Sequence, residues 1–141
     1  DVHSHGLGLE EKASYATGLF KLTGLVPETL APLVLLVGHG ATSTNNPFGG
    51  ALECGACGGR AGGPNARVMA AILNDPNVRA RLAEQNMTIP CDTRFVAGQH
   101  DTTTDNVMLF DCEQVPQSHC DALGKIAWDM AYASTRSQRL T

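Results

Sequence analysis

The stretch Leu33-Val34-Leu35-Leu36-Val37-Gly38-His39-Gly40 decides how this chain reads. Five consecutive aliphatic residues ended by glycine predict a strand, Leu33 to Val37, buried on both faces as in a parallel sheet. The histidine that follows is flanked by glycines, which remove the Cβ obstacle and leave room for close approach of backbone or ligand. Cys54 comes fifteen residues after His39, within Cys54-Gly55-Ala56-Cys57-Gly58-Gly59. An imidazole and a thiolate are ligand types that zinc prefers, so His39 and Cys54 make half of a candidate metal site. A strand-end histidine hydrogen-bonded to backbone is the competing reading of His39. Two ligands do not close a zinc site, and no convincing second pair stands elsewhere in the chain.

Working outward, Glu10 to Leu22 predicts a helix, with Ala13, Ala16, Leu19 and Phe20 at helical spacing and Gly24 as its stop. Glu10 and Glu11 fall in the first turn, where the helix dipole favours acids. Gly38 to Pro64 reads as one long polar, glycine-rich loop, of the kind that compact domains keep for function. Asn65 to Leu73 predicts a short helix. Asp75-Pro76 predicts the N-cap and first position of another, reaching about Gln85. Phe95-Val96-Ala97 and Val107 to Phe110 read as strands on either side of a polar turn, His100 to Asp105, which could position a site or cap a hairpin, with capping by threonine and aspartate the simpler reading. The last helix is expected from near Ser118, with Leu123, Ile126, Ala127, Met130 and Ala131 as its apolar stripe and Ser118 with Asp121 as a capping box. Strands alternating with helices give an α/β class: a short central sheet flanked by helices, with the long loop leaving the carboxyl end of a central strand. That is where open α/β sheets bind ligands.

Composition narrows the function classes. The 141 residues are 43% apolar and 17% charged, enough for one domain with a real core. A net charge of −4 gives no general attraction to nucleic acid. Five cysteines at irregular spacing argue for a reducing compartment and against a disulfide scaffold. The polar start Asp1-Val2-His3-Ser4-His5 carries no secretory signal and no initiator methionine, so the chain is expected to be a piece of something longer. Cys54-Gly55-Ala56-Cys57 alone is ambiguous. It could be half a zinc ribbon, a redox pair, or two thiols in a tight turn, and the glycines around it argue against the helix start that a thioredoxin-like pair requires. Cys112, His119 and Cys120 lie near the start of the last helix, where a lone cysteine acts as a small hydrophobe. His3 and His5 read as solvated.

The run Gly38-His39-Gly40-Ala41-Thr42-Ser43-Thr44-Asn45-Asn46-Pro47, then Ala51-Leu52-Glu53-Cys54-Gly55-Ala56-Cys57-Gly58-Gly59, closely resembles the DabA family, the large subunit of a bacterial inorganic-carbon uptake system. The likeness continues through Asn65-Ala66-Arg67-Val68, Leu73-Asn74-Asp75-Pro76 and His100-Asp101-Thr102-Thr103-Thr104-Asp105, and so covers nearly the whole chain. It implies a β-carbonic-anhydrase-like fold in which zinc is held by a Cys-x-Asp pair from an earlier segment and by a later histidine and cysteine, matching His39 and Cys54. The Cys-x-Asp pair would come from an upstream part of the same polypeptide, because family members are several times longer. Cys57 matches a family cysteine that is not a ligand. Cys91-Asp92-Thr93-Arg94 differs by one position from the Cys-x-Asp-x-Arg of β-class carbonic anhydrases, and on a strand that shift turns a side chain to the other face. The resemblance further implies hydration of CO2 to bicarbonate, coupled to ion flow through a membrane-embedded DabB-type partner, by a peripheral protein on the cytoplasmic side of the cell inner membrane. The piece alone is expected to bind zinc weakly and to hydrate no CO2. The alternatives are a non-catalytic scaffold or interaction domain, a redox module using Cys54 and Cys57, and a chelatase-like α/β enzyme.

Overall fold

The computed structural model describes residues 6–40 and 62–140, with side chains over 6–40 and 65–134. In chain order the elements are helix α1 (Leu9–Thr23), strand β1 (Leu33–Gly40), helices α2 (Gly62–Asn74) and α3 (Pro76–Glu84), strands β2 (Arg94–Asp101) and β3 (Val107–Leu109), and helix α4 (Cys120–Leu140). Short 3₁₀ turns occupy Pro27–Thr29, Cys112–Gln114 and Gln117–His119. The sheet order is β1-β2-β3, with β1 and β2 parallel and β2 and β3 an antiparallel hairpin. The α/β class and the helices flanking a short sheet therefore agree with the sequence, while the long loop expected after the first strand falls for the most part outside the described residues.

Local chemistry explains the helix ends. Gly24 takes the left-handed conformation (φ 73°) that glycine adopts without strain, and its N–H closes α1 on the Phe20 carbonyl at 3.0 Å. Asp75 caps α3 as expected, accepting the Asn77 N–H at 2.9 Å, and Pro76 stands first in the helix. One turn of α2 after another presents Ala66, Ala70 and Leu73 to the interior, and the two alanines let the helix lie close on the sheet. Ile72, Leu73, Val78 and Leu82 are fully enclosed, joined by Ala16 and Phe20 of α1 and by Phe95 and Ala97 of β2. Val34 and Leu36 of β1 pack against the same cluster, and their partners in register are Phe95 and Ala97.

Five expectations are corrected. The strand extends beyond Val37 to Gly40, because residues 38–40 pair with Gln99, His100 and Asp101. Helix α2 begins at Gly62, so the segment between the elements is shorter at both ends than the sequence suggested. Among the described residues the first strand is at the edge of the sheet and is not buried on both faces. β2 is the central strand, β1 has only β2 as a described neighbour, and Val37 is 42% exposed. The unbroken aliphatic run reports hydrophobicity but not which neighbours arrive. Towards the end of the chain, Leu123 is buried while Ala127 and Ala131 of the expected stripe are exposed. The Ser118 hydroxyl engages His119 Nδ1 at 2.8 Å instead of forming the capping box.

Candidate functional site

Parallel pairing brings two histidines together. His39 and His100 are Cα partners on β1 and β2, at the carboxyl ends of both strands. Since Val34 and Leu36, with Phe95 and Ala97, face the core, side-chain alternation puts both histidines on the opposite face of the sheet. Their ring centroids lie 5.6 Å apart with planes at 81°. His39 is exposed. His100 is half-buried and held by Asp105, whose Oδ1 is 2.6 Å from Nε2.

The turn between β2 and β3 is tied tightly to this end of the sheet. Asp101 Oδ1 accepts from the N–H and hydroxyl of Thr103, at 2.9 and 2.6 Å, and from the Thr104 N–H at 3.3 Å. The Asp105 N–H bonds the Asp101 carbonyl at 2.8 Å, with Asp105 itself in the left-handed region (φ 64°). Thr102 reaches across to β1, its N–H and its hydroxyl both donating to the Gly40 carbonyl, at 2.7 and 3.0 Å. The Gln99 side chain lies against Gly40, where a Cβ would have to displace its amide end. The sequence expected a capped polar turn from His100 to Asp105. The capping is present, but His100 and Asp101 belong to the strand.

The other sequence candidates fall elsewhere. Cys54 and Cys57 lie outside the described residues, as do His3, His5, Asn45 and Asn46, and with them the redox pairing. Cys91 and Asp92 sit in the turn before β2, a strand's length from the histidines, or roughly 20 Å at 3.3 Å per residue. Burial pushes the Cys112 thiol up, and the nearby carboxylates of Glu113 and Asp111 push the same way, which disfavours the thiolate that a metal or a redox step needs. His119 is buried and bridges Ser118 to the Asp92 carbonyl, a structural role that a lone histidine near a helix start does not announce. The polar run from His100 to Asp105 can position a site or cap a hairpin, and the structure shows it doing the capping while also placing His100 beside His39. The available signal was a histidine closing each of two apolar, glycine-containing strands.

A cleft of about 460 Å³ opens elsewhere, beside the first half of β2, between α2 and the segment after β3. Arg67 and Asp111 pair across it, with Nε to Oδ2 at 3.0 Å and Nη2 to Oδ1 at 2.8 Å, and the guanidinium lies 5.0 Å over the Phe110 ring. The bond to Asp111 holds the Arg67 guanidinium above its ordinary pKa. Neither histidine of the sheet end lines this cleft. Among the described residues no group of three or more histidine, cysteine, aspartate or glutamate side chains could hold a metal ion. No helix among them is long and apolar enough to cross a membrane.

The fold and site define an α/β layer with an exposed imidazole at a strand end, from which a long glycine-rich segment carrying a cysteine pair departs. The family model described as "Probable inorganic carbon transporter subunit DabA" matches residues 1–140, and the chain belongs to that family. Relatives bearing the same description include one from Novosphingobium aromaticivorans, 52% identical over 141 residues, one from Chloroflexus aurantiacus, 48% over 128, and one from Salinibacter ruber, 46% over 137. These alignments cover 99%, 91% and 96% of this chain but only 16%, 15% and 17% of the relatives. The chain thus spans about a sixth of the length of those proteins. No solved structure matches it.

Proposed function

We propose that this chain is the part of an inorganic-carbon transporter subunit that contributes His39 and Cys54 to a zinc site, on a β-carbonic-anhydrase-like layer. The observation that carries the reading is the placement of His39: exposed, flanked by glycines, at the carboxyl end of a parallel strand, with the Cys54 segment following directly. The donor chemistry fits zinc, since an accessible imidazole and a thiolate are ligands it accepts readily. The other two donors are a Cys-x-Asp pair upstream in the same polypeptide. Bound zinc supplies a Lewis acid that brings the acidity of water towards neutrality.

The residues of this chain bind and orient. His39 offers its ring from a backbone fixed by pairing with β2. Gly38 and Gly40 leave that ring approachable, and Thr102 fixes the Gly40 carbonyl, where the chain sets off towards Cys54. In the whole protein this site hydrates CO2 to bicarbonate. Hydration is coupled to ion flow through a DabB-type membrane partner, on which the subunit sits peripherally at the cytoplasmic face. The description shared by the relatives, a probable inorganic carbon transporter subunit, supports the substrate class.

The test is metal content and inorganic-carbon uptake of the full-length protein with its membrane partner, wild type against His39→Ala and Cys54→Ala. Loss of stoichiometric zinc and of uptake in both variants is expected. Wild-type zinc and uptake in either would instead leave these residues as packing elements of a scaffold.

A further inference from the structure

His39 has no side-chain support from its own strand neighbours, which are glycines. An exposed imidazole without support would have to be ordered on metal binding, and a ligand so ordered loses affinity. What it does have is the His100 ring, 5.6 Å away and nearly perpendicular. Aromatic rings favour edge-to-face contacts at such distances. His100 in turn is not free to rotate: β2 fixes its backbone and Asp105 takes its Nε2 at 2.6 Å. Asp105 is itself held by the bond from its N–H to the Asp101 carbonyl.

We propose that His100, clamped by Asp105, is a positioning residue that sets the orientation of the His39 ring for metal binding. The inference rests on the reading of His39 as a zinc ligand. The end of β2 and the turn after it then grip the end of β1 at two points: His100 packs against the His39 ring, and Thr102 holds the Gly40 carbonyl. Simple turn capping accounts for Asp101, Thr103 and Thr104 but requires neither a histidine at position 100 nor its bond to Asp105. Residues that orient a metal ligand typically change metal affinity by about 10- to 100-fold when removed.

The experiment uses full-length protein, stripped of metal and titrated with cobalt(II), reading affinity and the visible ligand-field band. Circular dichroism checks that each variant is folded. In His39→Ala the band should disappear. In His100→Ala it should persist at the same stoichiometry, shifted in wavelength, with affinity about 10- to 100-fold lower. His100→Phe keeps a flat ring beside His39 and should recover most of the affinity. An unchanged affinity and band in His100→Ala overturns the positioning role. Complete loss in His100→Ala that Phe does not restore also overturns it, because His100 would then be a ligand. A band that survives in His39→Ala removes the zinc reading itself, and the positioning role with it, whatever His100 does.

Discussion

Asn74, the last residue of α2, acts on β2 as a substitute strand. Its Oδ1 accepts the Phe95 N–H at 2.9 Å and its Nδ2 donates to the Phe95 carbonyl at 2.8 Å. β3 pairs with β2 only from Gly98 onward, so without this amide one side of Phe95 would have no backbone partner. Arg79 plays a similar part nearby. Its guanidinium donates to the carbonyls of Leu73, Pro90 and Thr93, and burial, reinforced by the like charge of Arg94, pulls its pKa below the ordinary value. Asn74→Ala orphans a donor and an acceptor at once, at a cost of about 2 kcal/mol. By native-state hydrogen exchange, this should appear as roughly 30-fold faster exchange of the Phe95 amide. Asn74→Asp should do no better, since a carboxylate can accept from the N–H but sets a second acceptor against the carbonyl. An unchanged Phe95 amide in Asn74→Ala would mean that the amide pairing contributes nothing.

At the scale of elements, α1 is joined to α3 by buried Ala16 and Phe20 and, at the rim, by Arg81, which spans Glu10 at 2.8 Å and Glu84 at 3.0 Å. The hydrogen bond from Arg81, and then its charge, hold the Glu10 carboxyl below the usual glutamate range. A folded-state pKa below the unfolded one means that the pair stabilises the fold above the ordinary glutamate pKa, and that this contribution is lost as pH falls through the lowered value. Both groups are open to solvent, so the effect is small and weakens with salt. A carboxyl NMR titration should place the Glu10 midpoint below that of a free glutamate, and Arg81→Ala should move it back up. A midpoint indifferent to Arg81 would refute the pairing. The elements also mark where sequence reading succeeds. Asp75-Pro76 is a local signal, and α3 starts where it says. The extent of β1 is not local: Gly38 to Gly40 are strand only because Gln99 to Asp101 lie alongside. The meeting of His39 and His100 depends on that same register, which no spacing along the chain encodes, so His39 was legible as a candidate ligand and His100 only as part of a polar turn. The capping box failed because His119, once buried, takes the Ser118 hydroxyl.

At the scale of the molecule, the sheet separates two jobs. On one face Phe95, Ala97, Val34 and Leu36 join the cluster around Ile72, Leu73, Val78 and Leu82, which carries the stability of the layer. The other face bears His39 and His100, at strand ends and away from that cluster. On the proposed reading, a metal bound at His39 would stabilise the strand end it touches without being needed to hold the core together. This contrasts with small metal domains that unfold without their ion. Stripping metal from the full-length protein with a chelator should leave amide protection in α2, α3 and the first half of β2 unchanged. Protection should fall locally, at the residue 38–40 end of β1 and at the Thr102 N–H that bonds Gly40. Hydrogen exchange with residue-level readout separates the two regions, since the first half of β2 and Thr102 lie only a few residues apart in the chain. If protection instead collapsed across α2 and α3 on chelation, the metal would be part of what holds the core, and the division of labour between the two faces would be wrong.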